Sequence, residues 1–528
     1  MGFATPGCKA ALFILAAAVN GATSFAQAAG APAPATVVHA DQPGPKIDRH
    51  IYGQFAEHLG RGIYEGVWVG EDSPIPNTHG FRNDVIAALR ELHVPDVRWP
   101  GGCFADEYHW RDGIGPRASR PATLNTNWGG VPDTNAFGTH EFLEFAELIG
   151  ADAYINGNLG TGSSREMAEW LQYLTSTQPT ALTAERARNG HPGPWKITYF
   201  AVGNEAWGCG GNMRVDYYVD QFKQAETFLK APPGSRPIIV ASGGHDEDTS
   251  WTQALIEKAR HDGHFDMGAI TFHYYTLPTN VWKTKGAAVG FGEDQWISTM
   301  AHTLRMDDFV TRNSAILDQY DPEKKVAFAV DEWGTWYDPE PGAEPGFLYQ
   351  QNTLRDAVVA AVNFNIFHRH ADRVRMANIA QMVNVLQAMI LTKGPKMILT
   401  PTYYAFKMFT PFQDATDLPV DVQAPSYTLG STTVPGVSVS AARATDGRIV
   451  VALVNLNPKT STPLSVTLAG AQPKQVNGSI LTAATMDAHN TFETPDAIHP
   501  TEFRGASVKG GTLSVTLPAK SVVVLRLN

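Results

Sequence analysis

The stretch that decides the fold is Tyr199-Phe200-Ala201-Val202-Gly203-Asn204-Glu205. Its four largely apolar residues followed by Gly-Asn-Glu predict a buried strand that ends with two polar side chains. A carboxylate at the tip of such a strand lies at the edge of a dry cavity, where its ionisation can be tuned. A second strand of this kind, Lys325 to Trp333, presents Glu332. We therefore predict that Glu205 and Glu332 face one another across a cleft.

Short apolar runs with polar ends recur along the chain and alternate with stretches that have helical spacing. The predicted strands are Ile51 to Phe55, Val97 to Trp99, Ala153 to Ile155, Tyr199 to Val202, Ile238 to Ala241, Ala269 to Phe272, Val326 to Val330 and Val374 to Ile379. Eight strands alternating with helices predict an α/β fold, a (β/α)8 TIM barrel. A doubly wound sheet is the alternative, and the lack of a Gly-rich nucleotide turn after the first strand argues against it.

The composition and the hydrophobic pattern of the sequence change from about Ala405. Pro, Thr, Ser and Val dominate, and alternating runs occur at Gly436 to Ala442, Arg448 to Val454, Leu464 to Leu468, Thr512 to Leu517 and Val522 to Leu527. This pattern predicts a C-terminal all-β sandwich, jelly-roll-like, after the barrel. We interpret it as a structural domain.

Composition and charge narrow the class of partner. The 528 residues are 43% hydrophobic and 18% charged, which is ordinary for a globular protein large enough for a barrel and a second domain. The formal net charge of −11 argues against nucleic acid or an anionic membrane surface. A neutral ligand is compatible with this charge.

The first residues resemble an export signal. Lys9 precedes the apolar run Ala10 to Val19, which is too short to span a bilayer, and small residues follow. We predict a bacterial-type signal peptide over residues 1–28 and a periplasmic or secreted protein, without membrane contact in its mature form; a retained anchor is the alternative. Cys8 would be removed with the signal peptide, which leaves Cys103 and Cys209 in the mature protein. Two thiols in an oxidising compartment can pair.

The predicted strand ends are unusually polar, and in a closed barrel such ends converge on one face, where active sites lie. They carry Glu57 and His58, Arg98, Asn156 and Asn158, Asn204 and Glu205, His245, His273 and Tyr275, Glu332, and Asn378 with Gln381. These groups suit a ligand with many hydroxyls.

Tryptophans suit stacking on a sugar ring, and the candidates are Trp99, Trp128, Trp207, Trp333 and Trp336. Asp331 should point to the opposite side of its strand from Glu332, in a structural role.

Six motifs carry a resemblance to a known family. They are Ile51-Tyr52-Gly53-Gln54-Phe55-Ala56-Glu57-His58, Arg98-Trp99-Pro100-Gly101-Gly102, Gly203-Asn204-Glu205, His273-Tyr274-Tyr275, Asp331-Glu332-Trp333 and Asn378-Ile379-Ala380-Gln381. With them the chain resembles glycoside hydrolase family 51, the α-L-arabinofuranosidases of the large clan of retaining barrel glycosidases. The resemblance covers nearly the whole predicted mature chain.

This resemblance implies specific roles. Glu205 would be the general acid/base and Glu332 the nucleophile of a retaining, exo-acting α-L-arabinofuranosidase that needs no cofactor and no metal. The predicted substrate-binding residues are Glu57, Arg98, Cys103, Trp128, Asn204, His273, Tyr275, Trp336 and Gln381. The partner would be an arabinofuranosyl-containing oligo- or polysaccharide such as arabinan or arabinoxylan, and the family suggests a homo-oligomer, a hexamer.

The resemblance also divides the chain. After the predicted signal peptide over residues 1–28, it implies a leader with an N-terminal strand that joins the sandwich over 29–48, the catalytic barrel over 49–400 and the β-sandwich over 401–528. Two departures fall near the site: Cys103 stands where many members have Asn, and Ala206-Trp207-Gly208-Cys209 is an uncommon continuation after Asn-Glu. A Cys103–Cys209 disulfide would link the two departures and tie the second and fourth βα loops.

Retention requires two carboxyl groups about 5 to 5.5 Å apart. Glu332 must be ionised to attack the anomeric carbon, and Glu205 must begin protonated so that it can protonate the leaving oxygen. The nearest alternative is an endo-β-glucanase or xylanase of the same clan, which would need a long open groove. A catalytically silent carbohydrate-binding or scaffold protein is the alternative from another class.

Overall fold

Eight parallel strands close into a barrel in the order in which they occur in the chain. They are β1 (Gly53–Phe55), β2 (Asp96–Trp99), β3 (Asp152–Gly157), β4 (Tyr199–Val202), β5 (Ile238–Ala241), β6 (Ala269–Thr276), β7 (Ala327–Thr335) and β8 (Val374–Ile379). This computed structural model describes residues 36–261 and 266–528, so the predicted signal peptide lies outside the described residues. The predicted (β/α)8 barrel is confirmed.

Helices cover the outside of the barrel. They are α1 (Asn83–Glu91), α2 (Thr139–Ile149), α3 (Ser164–Thr175), α4 (Ala181–Arg188), α5 (Val215–Phe228), α6 (Thr249–His261), α7 (Glu293–Tyr320), α8 (Leu354–Arg369) and α9 (Pro401–Phe409). Local sequence sets several of their ends. Ser163 caps α3 by accepting a hydrogen bond from Glu166 N, and Thr353 with Asp356 forms a capping box on α8.

Short elements connect the helices and strands. Single-turn 3-10 helices span Arg49–Tyr52, Cys103–Asp106, Trp110–Gly113, Arg117–Ser119, Pro345–Phe347 and Thr410–Phe412. Two-stranded hairpins pair Asn77–Thr78 with Phe81–Arg82, Thr123–Asn125 with Val131–Asp133, Ile390–Lys393 with Lys396–Leu399, and Ser426–Leu429 with Thr432–Pro435.

Two sheets form the all-β domain after the barrel, as predicted. The five-stranded sheet has the order Val420–Asp421, Thr36–His39, Thr462–Ala469, Thr512–Leu517 and Ala506–Lys509. The six-stranded sheet has the order Thr416–Leu418, Val437–Arg443, Ile449–Asn455, Ser521–Leu527, Val476–Leu481 and Thr501–Glu502. Their apolar side chains form a core that includes Val439, Val451, Val466 and Leu525.

The helix α8 joins the two domains. All its residues except Arg369 are buried, which is unusual for a barrel helix because one face would ordinarily meet solvent. Asn365 Nδ2 donates to Ser438 Oγ at 3.0 Å, and His368 Nδ1 lies 2.9 Å from Ser440 Oγ on the six-stranded sheet. The sandwich thus covers the outer face of this helix.

The first barrel strand is shorter than predicted. Ile51 and Tyr52 belong to the 3-10 turn Arg49–Tyr52, and the strand begins only at Gly53. The reason is local: the Asp48 carboxylate accepts a hydrogen bond from His50 N and so favours a turn. Conversely, β6 and β7 are longer than predicted, so that β6 includes His273 and Tyr275 and β7 includes Glu332.

A β-bulge disturbs the pairing of β6 with β7. Thr271 pairs with Ala329, whereas His273 pairs with Glu332, so β7 carries one extra residue over this interval. Such a bulge changes which side chains of the strand point into the barrel. Among the described residues, we find no helix that is both long and apolar enough to span a membrane.

Candidate active site

Glu205 follows the end of β4 in a strained turn. Its φ of +38° lies in the left-handed region, which a side chain with a Cβ adopts only when its surroundings impose it. Two hydrogen bonds fix the flanking backbone: Asn204 N donates to Asp106 Oδ2 at 2.8 Å, and Ala206 N donates to Ser242 Oγ at 3.2 Å. The carboxyl of Glu205 is therefore aimed by the backbone on either side of it.

Glu332 is held by two donors. Arg98 Nη1 donates to Glu332 Oε1 at 2.8 Å, and the Tyr275 hydroxyl donates to Oε2 at 2.8 Å. Burial lowers the pKa of Arg98, but the neighbouring carboxylates of Asp331 and Glu332 outweigh burial and raise it. The guanidinium is thus a permanent positive charge beneath the carboxylate, and such charge-assisted hydrogen bonds fix its position.

His273 connects the two glutamates. Its Nδ1 lies 2.8 Å from Glu205 Oε1 and 3.6 Å from Glu332 Oε2, while its Nε2 lies 3.2 Å from Asp331 Oδ1. Burial lowers the pKa of His273, but Glu332, Asp331 and Glu205 together raise it to about 10. The imidazole is therefore protonated at neutral pH and places a positive charge among three carboxylates.

Glu205, His273 and Glu332 each present one potential ligand atom within 4.8 Å of the others, a spacing that a metal ion could bridge. However, both ring nitrogens of His273 already contact carboxylates, Nδ1 that of Glu205 and Nε2 that of Asp331. A second such group in the described part of the chain combines Glu205 with Cys103 and Cys209, whose sulfurs are joined in a disulfide. Neither group fits a metal ion well.

Glu57 contributes a further carboxyl group to the site, in addition to those of Glu205 and Glu332. It accepts hydrogen bonds from Phe104 N, Trp128 Nε1 and Gln381 Nε2 at 3.0, 2.8 and 2.9 Å. Burial, followed by the charge of Glu332, raises the pKa of Glu57 to about 7, although the hydrogen bonds from Phe104 and Trp128 oppose the shift. Gly101, at φ +138°, allows this packing because a Cβ there would lie 2.3 Å from Glu57 Cγ.

A cavity of about 300 Å³ lies over these carboxylates. Nine of the eleven residues predicted to act in catalysis or substrate binding line it, namely Glu57, Cys103, Trp128, Glu205, His273, Tyr275, Glu332, Trp336 and Gln381, together with the strand-end His245 and the stacking candidate Trp207. Arg98 and Asn204 do not line it; both are at least 98% buried beneath it, and Arg98 Nη2 donates to Asn204 Oδ1. The structure therefore brings the predicted residues together in two layers.

Three side-chain predictions are wrong. Asp331 does not point away from the site, because the bulge in β7 turns it inward, where it contacts Arg98 Nε at 3.2 Å and His273. Trp99 and Trp333 are fully buried on the outer side of the barrel, where Trp99 stacks on Phe142. These two tryptophans belong to the core and cannot stack on a sugar.

Asp106 is a positioning residue that sequence reasoning missed. Its Oδ1 accepts from Leu159 N and Gly160 N at 2.7 and 2.8 Å, and its Oδ2 accepts from Asn204 N. Burial raises the pKa of Asp106 to about 7, against the lowering effect of these hydrogen bonds. The buried carboxyl of Asp106 thus joins the loops after β2, β3 and β4. No local pattern in the sequence indicates this role.

A disulfide joins Cys103 to Cys209, with Cα atoms 5.5 Å apart. Cys103 begins the 3-10 helix that Asp106 ends, so this single turn is tied to the loop after β4 at both of its ends. Cys209 Sγ also lies 3.5 Å from Glu205 Oε2. This is a packing contact, because a disulfide sulfur carries no hydrogen to donate.

Comparison with known proteins identifies the family. Residues 88–287 match the α-L-arabinofuranosidase 1 domain, and residues 331–521 match the α-L-arabinofuranosidase C-terminal domain. An intracellular exo-α-L-arabinofuranosidase of Bacteroides ovatus is 47% identical over 93% of this chain and 95% of its own. The chain belongs to the family 51 α-L-arabinofuranosidases. It is accordingly a glycoside hydrolase, as the sequence motifs indicated.

Other α-L-arabinofuranosidases are also similar to this chain in structure or in sequence. The crystal structure of the GH51 arabinofuranosidase from Xanthomonas axonopodis pv. citri has a TM-score of 0.92 and 53% identity, covering 93% of this chain and 99% of that one. A probable α-L-arabinofuranosidase C of Aspergillus niger is 32% identical, covering 82% of this chain and 87% of its own.

The predicted periplasmic or secreted location is contradicted by one of these relatives. The Bacteroides ovatus arabinofuranosidase is named an intracellular enzyme, which conflicts with an exported protein. The prediction rested on Lys9, a short apolar run and small residues, and such local hydrophobicity is not confined to export signals. The argument from an oxidising compartment for pairing Cys103 with Cys209 falls with it, so the disulfide rests on geometry alone.

Proposed function

We propose that this glycoside hydrolase is a retaining, exo-acting α-L-arabinofuranosidase that releases terminal arabinofuranose from arabinan- or arabinoxylan-type polysaccharides or oligosaccharides. The observation that carries the proposal is the closeness of the two glutamates, each of which has a carboxylate oxygen within 4.8 Å of one on the other, beside His273. Retaining glycosidases have carboxyl groups about 5 to 5.5 Å apart, whereas inverting ones leave about 6.5 to 9.5 Å for a water. The short distance favours double displacement.

The hydrogen bonds around each glutamate support different roles for them. Glu332, held by Arg98 and Tyr275, has its negative charge stabilised and its position fixed, as a nucleophile requires. Glu205 is half-buried in a turn at the wall of the cavity, where its oxygen can reach both a leaving group and a water. We assign Glu332 as the nucleophile and Glu205 as the general acid/base.

The reaction then proceeds in two steps. Glu332 attacks the anomeric carbon while Glu205 gives its proton to the glycosidic oxygen, so that the leaving sugar departs as an alcohol. Glu205, now a carboxylate, removes a proton from water, and the hydroxyl displaces Glu332 from the anomeric carbon. In both steps His273 would stabilise charge on the two glutamates.

The cavity supports exo action on a neutral sugar. Its volume of about 300 Å³ is at the lower end of the range for small-molecule sites and suits a single terminal residue. Glu57 and Gln381 offer hydrogen-bonding groups, and Trp128 and Trp336 offer aromatic faces. An endo-β-glucanase or xylanase would need a long groove, and the Bacteroides ovatus relative is named an exo-acting enzyme.

Two variants test the assignment. Glu332→Ala should abolish turnover on every substrate, because no intermediate can form. Glu205→Ala should retain most of the first step on an activated aryl arabinofuranoside, which needs no proton, but lose turnover on arabinan oligosaccharides by about 10²- to 10⁴-fold. Glu493→Ala, at an exposed glutamate in the sandwich, is the matched control.

The stereochemistry is tested separately. With methanol present as acceptor, the wild-type protein should form methyl α-L-arabinofuranoside, the retained product, as followed by NMR. Formation of the β-anomer, or equal losses in Glu205→Ala on aryl and oligosaccharide substrates, would contradict the proposed roles.

Three further expectations from the sequence stay predictions. They are the domain boundaries at residues 28, 48 and 400, the assembly into a homo-oligomer such as a hexamer, and the natural polymer. Analytical ultracentrifugation and the product profile on arabinan, arabinoxylan and arabinogalactan would decide the last two.

A further inference from the structure

The cavity extends beyond the two glutamates and has two aromatic walls. One wall consists of Trp207, His245 and Asp246, on the loops after β4 and β5. The second wall consists of Tyr275, Trp282 and Trp336, whose rings pack edge-on against one another, on β6 and the loops after β6 and β7. The roles assigned above account for Tyr275 and Trp336 but give no function to the first wall.

Trp207 has the features of a platform for a sugar ring. Its indole lies against the His245 imidazole with ring centroids 3.8 Å apart and planes inclined by 31°. The His245 ring therefore supports one side of the indole, while Trp207 itself lines the cavity and is only half-buried. A rigid, supported aromatic face of this kind binds the apolar face of a sugar at low entropic cost.

The position of Trp207 relative to the acid indicates which sugar it binds. In a retaining mechanism the nucleophile and the leaving group occupy opposite faces of the anomeric carbon. Trp207 is two residues from Glu205, the proposed proton donor to the leaving oxygen. The other wall lies on the side of the nucleophile, because Tyr275 donates to Glu332 and packs edge-on against Trp336 at 5.0 Å between ring centroids.

Asp246 adds a polar group to the same wall. Its side chain is 37% exposed, and its nearest recorded side-chain contact, with His245 Nδ1, is long at 3.5 Å. A carboxylate held this loosely can accept hydrogen bonds from sugar hydroxyls. An aromatic platform beside a hydroxyl acceptor is the combination that a neutral pyranose or furanose ring requires.

We propose that Trp207, supported by His245 and assisted by Asp246, binds the sugar ring of the leaving group during glycoside cleavage. The inference rests on the proposed function, since it takes Glu205 as the acid. The ligand class is a neutral pentose ring of an oligosaccharide, bound through one apolar face and its hydroxyls. Trp207 thus contributes to the selection of arabinosyl oligosaccharides over simple glycosides.

Two substrates with the same arabinofuranosyl group separate this subsite from the catalytic centre. Methyl α-L-arabinofuranoside has a leaving group too small to stack, whereas an arabinofuranosyl-substituted xylotriose has a full sugar ring there. Trp207→Ala should lower kcat/KM on the oligosaccharide about tenfold more than on the methyl glycoside, the upper end of the contribution of one aromatic contact. Trp207→Phe should restore most of the ratio of kcat/KM on the oligosaccharide to kcat/KM on the methyl glycoside.

The control is Phe228→Ala, an aromatic truncation at a 58% exposed position on α5, which should leave the ratio unchanged. Equal losses of Trp207→Ala on both substrates, or no loss on the oligosaccharide, would overturn the proposal, as would a lowered ratio in Trp282→Ala instead. If the wild-type protein hydrolyses neither substrate, the proposed function itself fails. Circular dichroism and melting temperatures of the variants show that folding is intact.

Discussion

The imidazole of His273 lies 2.8 Å from the carboxylate of Glu205 and carries a positive charge at neutral pH, because its pKa is about 10. This pairing affects both glutamates, since Glu332 Oε2 is also only 3.6 Å from the same nitrogen. A fixed positive charge between two carboxylates lets both approach one sugar, although like charges at this distance repel.

Removing this charge should therefore move the pH–rate profile. In His273→Asn, both limbs of the kcat/KM profile should shift to higher pH, because a positive charge is removed from beside the groups that the profile reports. Hydrolysis of an arabinofuranoside from pH 4 to 9 measures the shift. The control is His93→Asn, at an exposed position. An unmoved profile, or a shift to lower pH, would contradict the electrostatic role of His273.

Asp106→Asn tests the positioning of the loop that carries Glu205. The amide offers one acceptor oxygen where the carboxylate accepts three backbone N–H groups, so at least one buried donor loses its partner. We expect the free energy of unfolding to fall by about 1 to 3 kcal/mol and kcat to fall about tenfold or more, with a smaller change in KM. Asp220→Asn, exposed on α5, is the matched control. A stability loss with unchanged kcat would make the role of Asp106 purely structural.

The disulfide makes a separate contribution to stability. Cys103 and Cys209 are 106 residues apart in sequence, and a cross-link over a loop of this length stabilises by about 4 to 5 kcal/mol in the chain-entropy account. The double variant Cys103→Ser/Cys209→Ser should lose free energy of unfolding of this order in urea titrations. Wild-type protein treated with a reductant serves as the comparison. Free thiols at both Cys103 and Cys209 in the unreduced wild-type protein, located by mass spectrometry, would exclude the bond.

The periods of strands and helices were sufficient to predict the barrel and the polar strand-end residues of the cavity, whereas the places of Cys103, Trp128 and Trp336 were predicted from the family resemblance. The outward orientation of Trp99 follows from the alternation of side chains along a strand, because its neighbour Arg98 points inward. Asp331 was not predictable in this way, since the bulge in β7 interrupts the alternation. Asp106 binds backbone N–H groups of two other loops, and such long-range contacts leave no periodic signal in the sequence.

His368 should make the joint between barrel and sandwich sensitive to acid. It is fully buried on α8, its Nδ1 contacts Ser440 Oγ at 2.9 Å, and its Nε2 contacts the Tyr52 hydroxyl at 2.8 Å. Burial lowers the pKa of His368 to about 3 from an ordinary value of 6.5. Between these values the unfolded chain binds a proton that the folded protein excludes, so stability falls as pH falls from 6.5 towards 3, by about 1.4 kcal/mol per pH unit.

His368→Gln keeps hydrogen-bonding groups at this joint but cannot be protonated. It should lower stability at pH 7, where the wild-type contacts are intact, and should show a shallower decline of unfolding free energy below pH 6 than the wild-type protein. Urea titrations at several pH values measure both curves, with His499→Gln, at an exposed position, as control. Other groups also titrate in this range, but they are common to both proteins and cancel in the difference. Parallel curves for the wild-type and His368→Gln proteins would show that His368 does not cause the acid sensitivity.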